Sequence, residues 1–139
     1  MKIRGKCTIF GSLGIRPLGG AKNIEIGNGT FINAEIRFGV PIDNVIIGKN
    51  VQIGSCVMFE TVNHGLEHLP GNRRAESTKP IIIEDEVWIG GGSIILQSVT
   101  ISRGSVVAAG ALVTKNGNAN IVVAGVPARQ IRKINDDAQ

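Results

Sequence analysis

An aliphatic side chain recurs at every sixth position through the second half of this chain, and that period restricts the fold more than any other feature. Six residues carry it: Ile83, Ile89, Ile95, Ile101, Val107 and Val113. A period of six is neither the 3.6-residue period of an α-helix nor the two-residue alternation of a strand. It is typical of a parallel β-helix, in which each hexad forms one short strand and a turn, and three hexads complete a coil.

The same period begins near the first residue, so one coiled structure accounts for most of the chain. The upstream hexads are led by Ile3, Ile9, Ile15, Ile26, Ile32, Phe38, Ile47, Ile53 and Phe59. A second small or aliphatic residue follows four positions after a leader, at Val87, Ser93, Val99, Ser105 and Ala111. Glycine adopts positive φ without steric cost, so we expect many of the 19 glycines to form the turns, as at Gly27, Gly48, Gly54 and Gly90.

The repeat stops between residues 65 and 80, where the sequence reads GLEHLPGNRRAESTKP. This polar stretch predicts a long protruding loop, and loops of that length in compact domains are usually functional or disordered. We expect one all-β domain over residues 1–134, followed by a frayed tail at 135–139. The apolar runs at 81–83 and 94–96 cannot point inward at every residue, so we expect another subunit to cover part of them.

Charge and composition exclude several classes of function. The formal net charge is +4 without a basic stripe, which argues against nucleic-acid binding and favours a phosphorylated small ligand. No apolar run approaches the ~18 residues of a membrane span, and we expect a cytoplasmic protein without an integral membrane segment. The two cysteines, Cys7 and Cys56, form no metal-binding or CxxC pattern.

Four stretches resemble one known family when they are taken together. They are TVNHG (61–65), KPIIIEDEVWIGGGSIIL (79–96), VVAAGALVTK (106–115) and VVAGVPARQIRKI (122–134). In this order they resemble the hexapeptide-repeat acyltransferases, and most of all the sugar and polysaccharide O-acetyltransferases of the maltose, galactoside and capsule-modifying group. The resemblance implies a single-stranded, left-handed parallel β-helix with the shape of a triangular prism. It also implies a homotrimer with active sites between subunits, and acetyl-CoA as cosubstrate.

Two departures from that family bear on the substrate and on one turn. The repeat begins near the first residue, without the helical segment that precedes it in the maltose and galactoside enzymes, and this leaves the identity of the acceptor open. Gln97-Ser98 stands where the family usually has Pro-Gly, which affects only the rigidity of the turn.

The family's reaction is acetyl transfer from acetyl-CoA to a hydroxyl group, and it needs a base for the hydroxyl proton. The chain has two histidines, and His64 lies in TVNHG, where the similar enzymes carry their general base. An imidazole with a pKa near 6.5 suits proton transfer at neutral pH. His68 is expected to be a solvated loop residue or an acceptor contact. The group that orients His64 stays open between Glu60, Glu67 and a backbone carbonyl.

The resemblance also implies residues that bind the two substrates. Asn33 corresponds to an acceptor-binding asparagine and Asp43 lies nearest to an acidic acceptor contact, while Glu60 and Trp88 are further candidates for the substrate site. Asn33 is equally well explained as an ordinary turn residue. For acetyl-CoA, the resemblance implies contacts at Gly91, Ala109, Thr114, Lys115, Arg129, Arg132 and Lys133. Lys115 and the three cations Arg129, Arg132 and Lys133 are placed to bind the phosphates of acetyl-CoA. Runs of charged residues are, however, commonly no more than solvated surface.

Three other classes of function compete with direct O-acetylation. The same base would serve an amine, so N-acetylation of an amino sugar or antibiotic is an alternative. A non-catalytic structural prism is a second alternative, because fold does not imply function. A zinc enzyme of the γ-carbonic anhydrase type needs three histidines around the metal, and this chain has two. We therefore expect neither a metal nor a covalent acyl-enzyme.

Overall fold

In a computed structural model that describes residues 1–135, the chain forms nineteen β-strands and one short 3₁₀ helix, η1 (Gly20–Asn23). The predicted frayed tail lies, apart from Asn135, outside the described residues. Helix η1 is the one helix of this part of the chain, and with four residues it is too short to cross a membrane.

Three parallel sheets form the body of the molecule. Sheet A contains β1 (Lys2–Ile3), β4 (Ile24–Ile26), β7 (Val45–Ile47), β12 (Ile81–Ile83) and β15 (Thr100–Ile101). Sheet B contains β2 (Thr8–Ile9), β5 (Phe31–Ile32), β8 (Gln52–Ile53), β13 (Trp88–Ile89), β16 (Val106–Val107), β18 (Ile121–Gly125) and, antiparallel at the edge, β19 (Ala128–Lys133). Sheet C contains β3 (Leu13–Arg16), β6 (Ile36–Gly39), β9 (Met58–Glu60), β14 (Ile94–Leu96) and β17 (Leu112–Val113).

Up to β17, the chain visits the three sheets in rotation, which confirms the predicted parallel β-helix. The turns therefore stack in columns along the corners between sheets. Corner BC, between sheets B and C, consists of residues 10–12, 33–35, 54–57, 90–93 and 108–111. Corner CA, between sheets C and A, consists of residues 17–23, 40–44, 61–80 and 97–99, and Thr114 and Lys115 follow β17 at the same end of sheet C, in the connection that leads to β18 of sheet B.

The predicted hexad leaders fill the interior. Every leader from Ile26 onward is buried, and so are the five residues predicted four positions after a leader. Phe38 and Phe59 stack inside with ring centroids 5.1 Å apart. Ile3, by contrast, is 45% exposed because β1 ends sheet A and has a neighbouring strand on one side alone. In the apolar run of β12, Ile81 and Ile83 are buried and Ile82 faces outward, as strand alternation requires.

The glycines that directly follow the hexad leaders allow close approach between coils and do not have positive φ. Positive φ occurs two residues further on, for example at Asn50, Cys56 and Gly92. Gly54 itself is needed for close approach, because a Cβ there would lie 2.6 Å from the Gly91 nitrogen in the next coil. Gly27, Gly48, Gly54 and Gly90 therefore lie in turns, as predicted, and these turns need glycine because successive coils pack closely there, not because φ is positive.

The interruption at corner CA is a β-hairpin and not simply a loop. Strand β10 (Val62–His64) pairs antiparallel with β11 (Glu76–Thr78), so the irregular connection is confined to residues 65–75. The Thr78 hydroxyl donates to the Asp43 carboxylate, which fastens the base of this hairpin to the preceding turn of corner CA. Thr61 holds the same base from the other side, because its hydroxyl donates to the Gly39 carbonyl at 2.6 Å.

Candidate functional site

His64 lies at the end of β10, where the hairpin leaves the body of the molecule. Its side chain is exposed, while the backbone on both sides is held by hydrogen bonds. The Gly65 N–H donates to the Ala75 carbonyl at 2.8 Å, and the Lys79 N–H donates to the Thr61 carbonyl at 3.1 Å. The imidazole is thus solvent-accessible on a fixed backbone, the combination that a general base requires.

Glu76 lies directly opposite His64 in the hairpin ladder, a relation that the repeat pattern does not reveal. Opposite residues of an antiparallel pair have Cβ atoms about 4.5–5.5 Å apart and project from the same face. Of the two carboxylates considered from the sequence, Glu67 belongs to the hairpin connection, and there it lines a concavity with His68 and Arg73. Glu60 belongs to β9 and lines a cleft on sheet C. By strand register, Glu76 is therefore the carboxylate opposite His64, although the two side chains form no hydrogen bond or ion pair within residues 1–135.

Thr114 and Lys115 lie at the same end of sheet C as His64. Strands β9, β14 and β17 are successive neighbours in sheet C, so these two residues lie two coils from the hairpin, about 10 Å along the axis. Lys115 and Arg129 line one cavity of about 340 Å³ at this end of the molecule. Arg132 and Lys133 are exposed on the edge strand β19 and do not line that cavity.

Asn33, Gly91 and Ala109 lie together on corner BC. The Asn33 side-chain oxygen accepts from the Ala34 N–H at 2.8 Å, which is the turn role considered from the sequence and leaves the amide NH₂ free to donate elsewhere. One coil joins the next here, because the Gly110 N–H donates to the Gly91 carbonyl at 2.9 Å. Within residues 1–135, the N–H groups of Gly91 and Ala109 have no hydrogen-bond acceptor.

Seven of the residues predicted to bind the donor or acceptor, or to act as the base, therefore lie at two different ends of sheet C in a single chain. His64, Asp43, Thr114 and Lys115 lie at the end next to corner CA, and Asn33, Gly91 and Ala109 belong to corner BC. Sheet C lies between the two corners, and its strands of three to four residues span about 10 Å. Trp88 belongs to neither corner: it is 52% exposed on the outer face of sheet B, between Gln52 and Val106.

A cleft of about 450 Å³ on the outer face of sheet C is a feature that the sequence did not predict. Arg16, Arg37 and Glu60 supply its charged groups, and Val62 of the hairpin closes one end. Because Val62 and His64 are two residues apart in a strand, their side chains project from the same face of the hairpin. The cleft thus opens toward the side on which His64 projects.

Cys56, on corner BC, does not have the properties of a nucleophile. A hydrogen bond from its thiol to the Glu35 carboxylate, followed by slight desolvation and the Glu35 charge, raises the pKa of the Cys56 thiol. A raised pKa lowers the thiolate fraction at neutral pH, and the thiolate is the reactive form. Among residues 1–135, no three His, Cys, Asp or Glu side chains cluster closely enough to hold a metal ion.

Comparisons with known proteins relate this geometry to an activity. A family model described as the hexapeptide repeat of succinyl-transferase matches residues 80–115. Galactoside O-acetyltransferase of Lactococcus lactis is 37% identical over 117 residues, which make up 84% of this chain and 56% of that protein. Four curated relatives, this one included, match most of this chain. The chain spans 55–58% of the length of those proteins.

Solved structures are similar over nearly the whole chain. A hexapeptide-repeat-containing acetyltransferase of Vibrio cholerae, complexed with acetyl-coenzyme A, has a TM-score of 0.82 and 34% identity, covering 94% of this chain and 72% of that one. A maltose O-acetyltransferase of Clostridium difficile has a TM-score of 0.86 and 31% identity, covering 97% of this chain and 70% of that one.

Proposed function

Since this chain belongs to the hexapeptide-repeat acetyltransferases, we propose that it transfers an acetyl group from acetyl-CoA to a hydroxyl group of a sugar or polysaccharide. The observation that carries this proposal is the placement of an exposed His64 on the rigid base of a hairpin, at the end of sheet C where Thr114 and Lys115 also lie. Family membership further supports left-handed winding of the three-sheet helix.

In the proposed reaction, His64 is the general base and transfer is direct. The imidazole removes the proton of an acceptor hydroxyl while the hydroxyl oxygen attacks the thioester carbonyl carbon. The tetrahedral intermediate then collapses, the carbon–sulfur bond breaks, and the imidazolium returns its proton to the departing CoA sulfur. Glu76 is the positioning residue, because a carboxylate directly opposite His64 can accept from its second ring nitrogen and fix the ring. The raised pKa of Cys56 agrees with a reaction that has no cysteine acyl intermediate.

The residues on corner BC and at the sheet B end bind acetyl-CoA in this proposal. The free N–H groups of Gly91 and Ala109 donate to the thioester and the extended arm, where an N–H near the carbonyl stabilises the developing oxyanion. Thr114 and Lys115 continue the donor site at the end of sheet C next to corner CA. Arg129 joins Lys115 at the cavity that receives the nucleotide phosphates, and the exposed cations Arg132 and Lys133 attract them.

The separation of the two corners supports active sites between subunits of a homotrimer. Residues on opposite sides of sheet C in one chain meet when corner CA of one subunit faces corner BC of the next. Asn33 and Asp43 then contact the acceptor from the two sides of the site, Glu60 lies in the sheet C cleft, and Trp88 flanks the donor. The two free cysteines agree with a reducing cytoplasm, where we place the reaction.

The test is a thiol-release assay with acetyl-CoA and a panel of acceptors. The panel contains neutral sugars, acidic sugars, amino sugars and polysaccharides, and products are identified by mass spectrometry. We expect CoA release that depends on a hydroxyl acceptor and yields an alkali-labile ester. Acetylation confined to amines would replace this function with N-acetylation, and a complete lack of CoA release and acetyl-CoA binding would favour a structural prism.

A further inference from the structure

The cleft on sheet C has a charge pattern that the proposed reaction does not use. The positions of its outward-facing residues follow from the strand register, because paired residues of parallel strands project from the same face of the sheet. Gly14 pairs with Arg37, and Arg16 pairs with Gly39. The two arginines thus lie diagonally across a pair of glycines.

Glu60 completes the polar part of the cleft. It pairs with Gly39, and its carboxylate lies over that glycine, since a Cβ on Gly39 would be 2.0 Å from Glu60 Oε1. Within residues 1–135, the salt bridges are those of Arg4 with Glu25 and of Arg103 with Glu86, so neither cleft arginine is paired with a carboxylate. The cleft therefore has two guanidinium groups and one carboxylate, a net positive charge inside an already basic protein.

The rest of the lining is apolar and leads toward His64. Pro17, Pro41, Met58 and Val62 supply flat or aliphatic surface. Ligand sites typically combine such apolar walls with a few placed polar groups. Val62 is two residues before His64, a distance of about 7 Å along a strand, and both project from the same face of the hairpin. The cleft thus ends on the face of the hairpin from which His64 projects.

From this arrangement we propose that the cleft binds an anionic sugar unit of the acceptor, one that carries a carboxylate or phosphate beside free hydroxyl groups. The inference rests on the proposed acetyl transfer and adds the class of acceptor. Arg16 and Arg37 bind the anionic group, since a guanidinium matches carboxylate and phosphate geometry with paired hydrogen bonds. The Glu60 carboxylate accepts from sugar hydroxyls and excludes a second anionic group nearby. The sugar ring lies against the apolar walls, and a hydroxyl of this unit or its neighbour reaches His64.

Direct binding measurements test this inference separately from the reaction. Isothermal titration calorimetry without acetyl-CoA compares a glucuronate-containing disaccharide, glucose 6-phosphate and maltose, on the wild-type protein and on the double variant Arg16→Gln/Arg37→Gln. The control is Arg4→Gln/Arg103→Gln, which removes the same charge from arginines that are paired elsewhere. The four arginines are exposed, so both variants should keep the wild-type circular dichroism and thermal transition.

We expect at least one anionic ligand to bind the wild-type protein about tenfold more tightly than maltose does. This difference in affinity should vanish in the cleft variant and persist in the control variant. It should also become smaller when salt is added. Binding of the disaccharide alone identifies a uronate, and binding of the phosphate alone identifies a phosphorylated sugar. Equal binding of all three ligands, or an advantage that survives in the cleft variant, overturns the inference. Anion binding at the cleft without any acetyl transfer would leave this inference standing and contradict the proposed function.

Discussion

At the scale of single residues, the proposed reaction depends on the imidazole of His64. We expect His64→Ala to lower kcat for CoA release at least about 100-fold, because no other side chain of corner CA projects from the base of the hairpin as a proton acceptor of that strength. The exposed position means that folding should be unaffected. The measurement is steady-state CoA release with the best acceptor, beside a thermal transition of each protein.

The second histidine is the natural control for this change. His68 lies in the hairpin connection, four residues after His64, and lines a different concavity. His68→Ala should retain kcat within about twofold, and any effect should fall on the KM for the acceptor. Equal losses of kcat in the two variants would contradict the assignment of His64 as the base.

Glu76 carries a separate prediction about how the base is held. Glu76→Gln keeps the size of the side chain and removes its charge, so kcat should fall about tenfold while the KM of both substrates changes little. Glu76→Asp retains a carboxylate and should recover part of the loss. The matched control is Glu67→Gln in the connection, which should behave as wild type. A kcat that is unchanged by Glu76→Gln, or lowered as much by Glu67→Gln, would refute the role of Glu76.

At the scale of strands and turns, stability depends on close stacking at corner BC. Gly54→Ala places a methyl group 2.6 Å from the Gly91 nitrogen, so the coils must separate, at a cost of about 1–3 kcal/mol of unfolding free energy. Gly65→Ala is the control, because its methyl group would have ordinary contact with the Ala75 carbonyl oxygen at 3.8 Å. Denaturant unfolding at equal protein concentration measures both, and similar midpoints would show that the turn does not need the glycine.

Gly54→Ala should also affect function through its neighbour. The displaced atom is the nitrogen of Gly91, whose N–H binds the donor in the proposed reaction. We therefore expect a raised KM for acetyl-CoA at temperatures where the variant is still folded. This links the regular repeat, which fills the core through its leaders, to the donor site along its turns.

The elements also show which parts of this molecule can be read from its sequence. The hexad leaders were predictable because stacking a coil every six residues places each of them in the same interior position, and from Ile26 onward all are buried. The close approach at Gly54 was not predicted, because the distance to the next coil depends on stacking, which composition does not reveal. The pairing of His64 with Glu76 was missed because β11 is the polar segment EST, which has neither alternation nor a leader.

The sheet C cleft was hidden for a related reason. Its charged residues come from three successive coils, and the segments between those coils differ in length, since 17–23 includes helix η1 and 40–44 does not. The register of Arg16 against Gly39 is therefore fixed by tertiary stacking, and sequence spacing alone does not give it. Family resemblance supplied His64 as the candidate base and the candidate donor strip, but it gave no information about this cleft.

At the scale of the whole molecule, the proposed site combines residues from two corners. His64 on corner CA and Ala109 on corner BC are separated by sheet C in one chain. The outward-facing side chains of Ile94 and Leu112, which lie on that sheet beyond the cleft, form a partly buried apolar row that suits contact with another subunit. We expect a closed trimer, in which each site combines corner CA of one subunit with corner BC of its neighbour.

Two inactive variants should therefore restore activity when they share a trimer. His64→Ala removes the base, and Ala109→Trp places a bulky group at an exposed position of the donor wall without disturbing the core. In trimers co-expressed from equal amounts of the two variants, random assortment leaves about a quarter of the sites with an intact His64 facing an intact Ala109. CoA release should reach about that fraction of the wild-type rate, while each variant alone stays near background. Sites built within one chain would give no recovery in the mixed trimers, because every chain carries one of the two lesions.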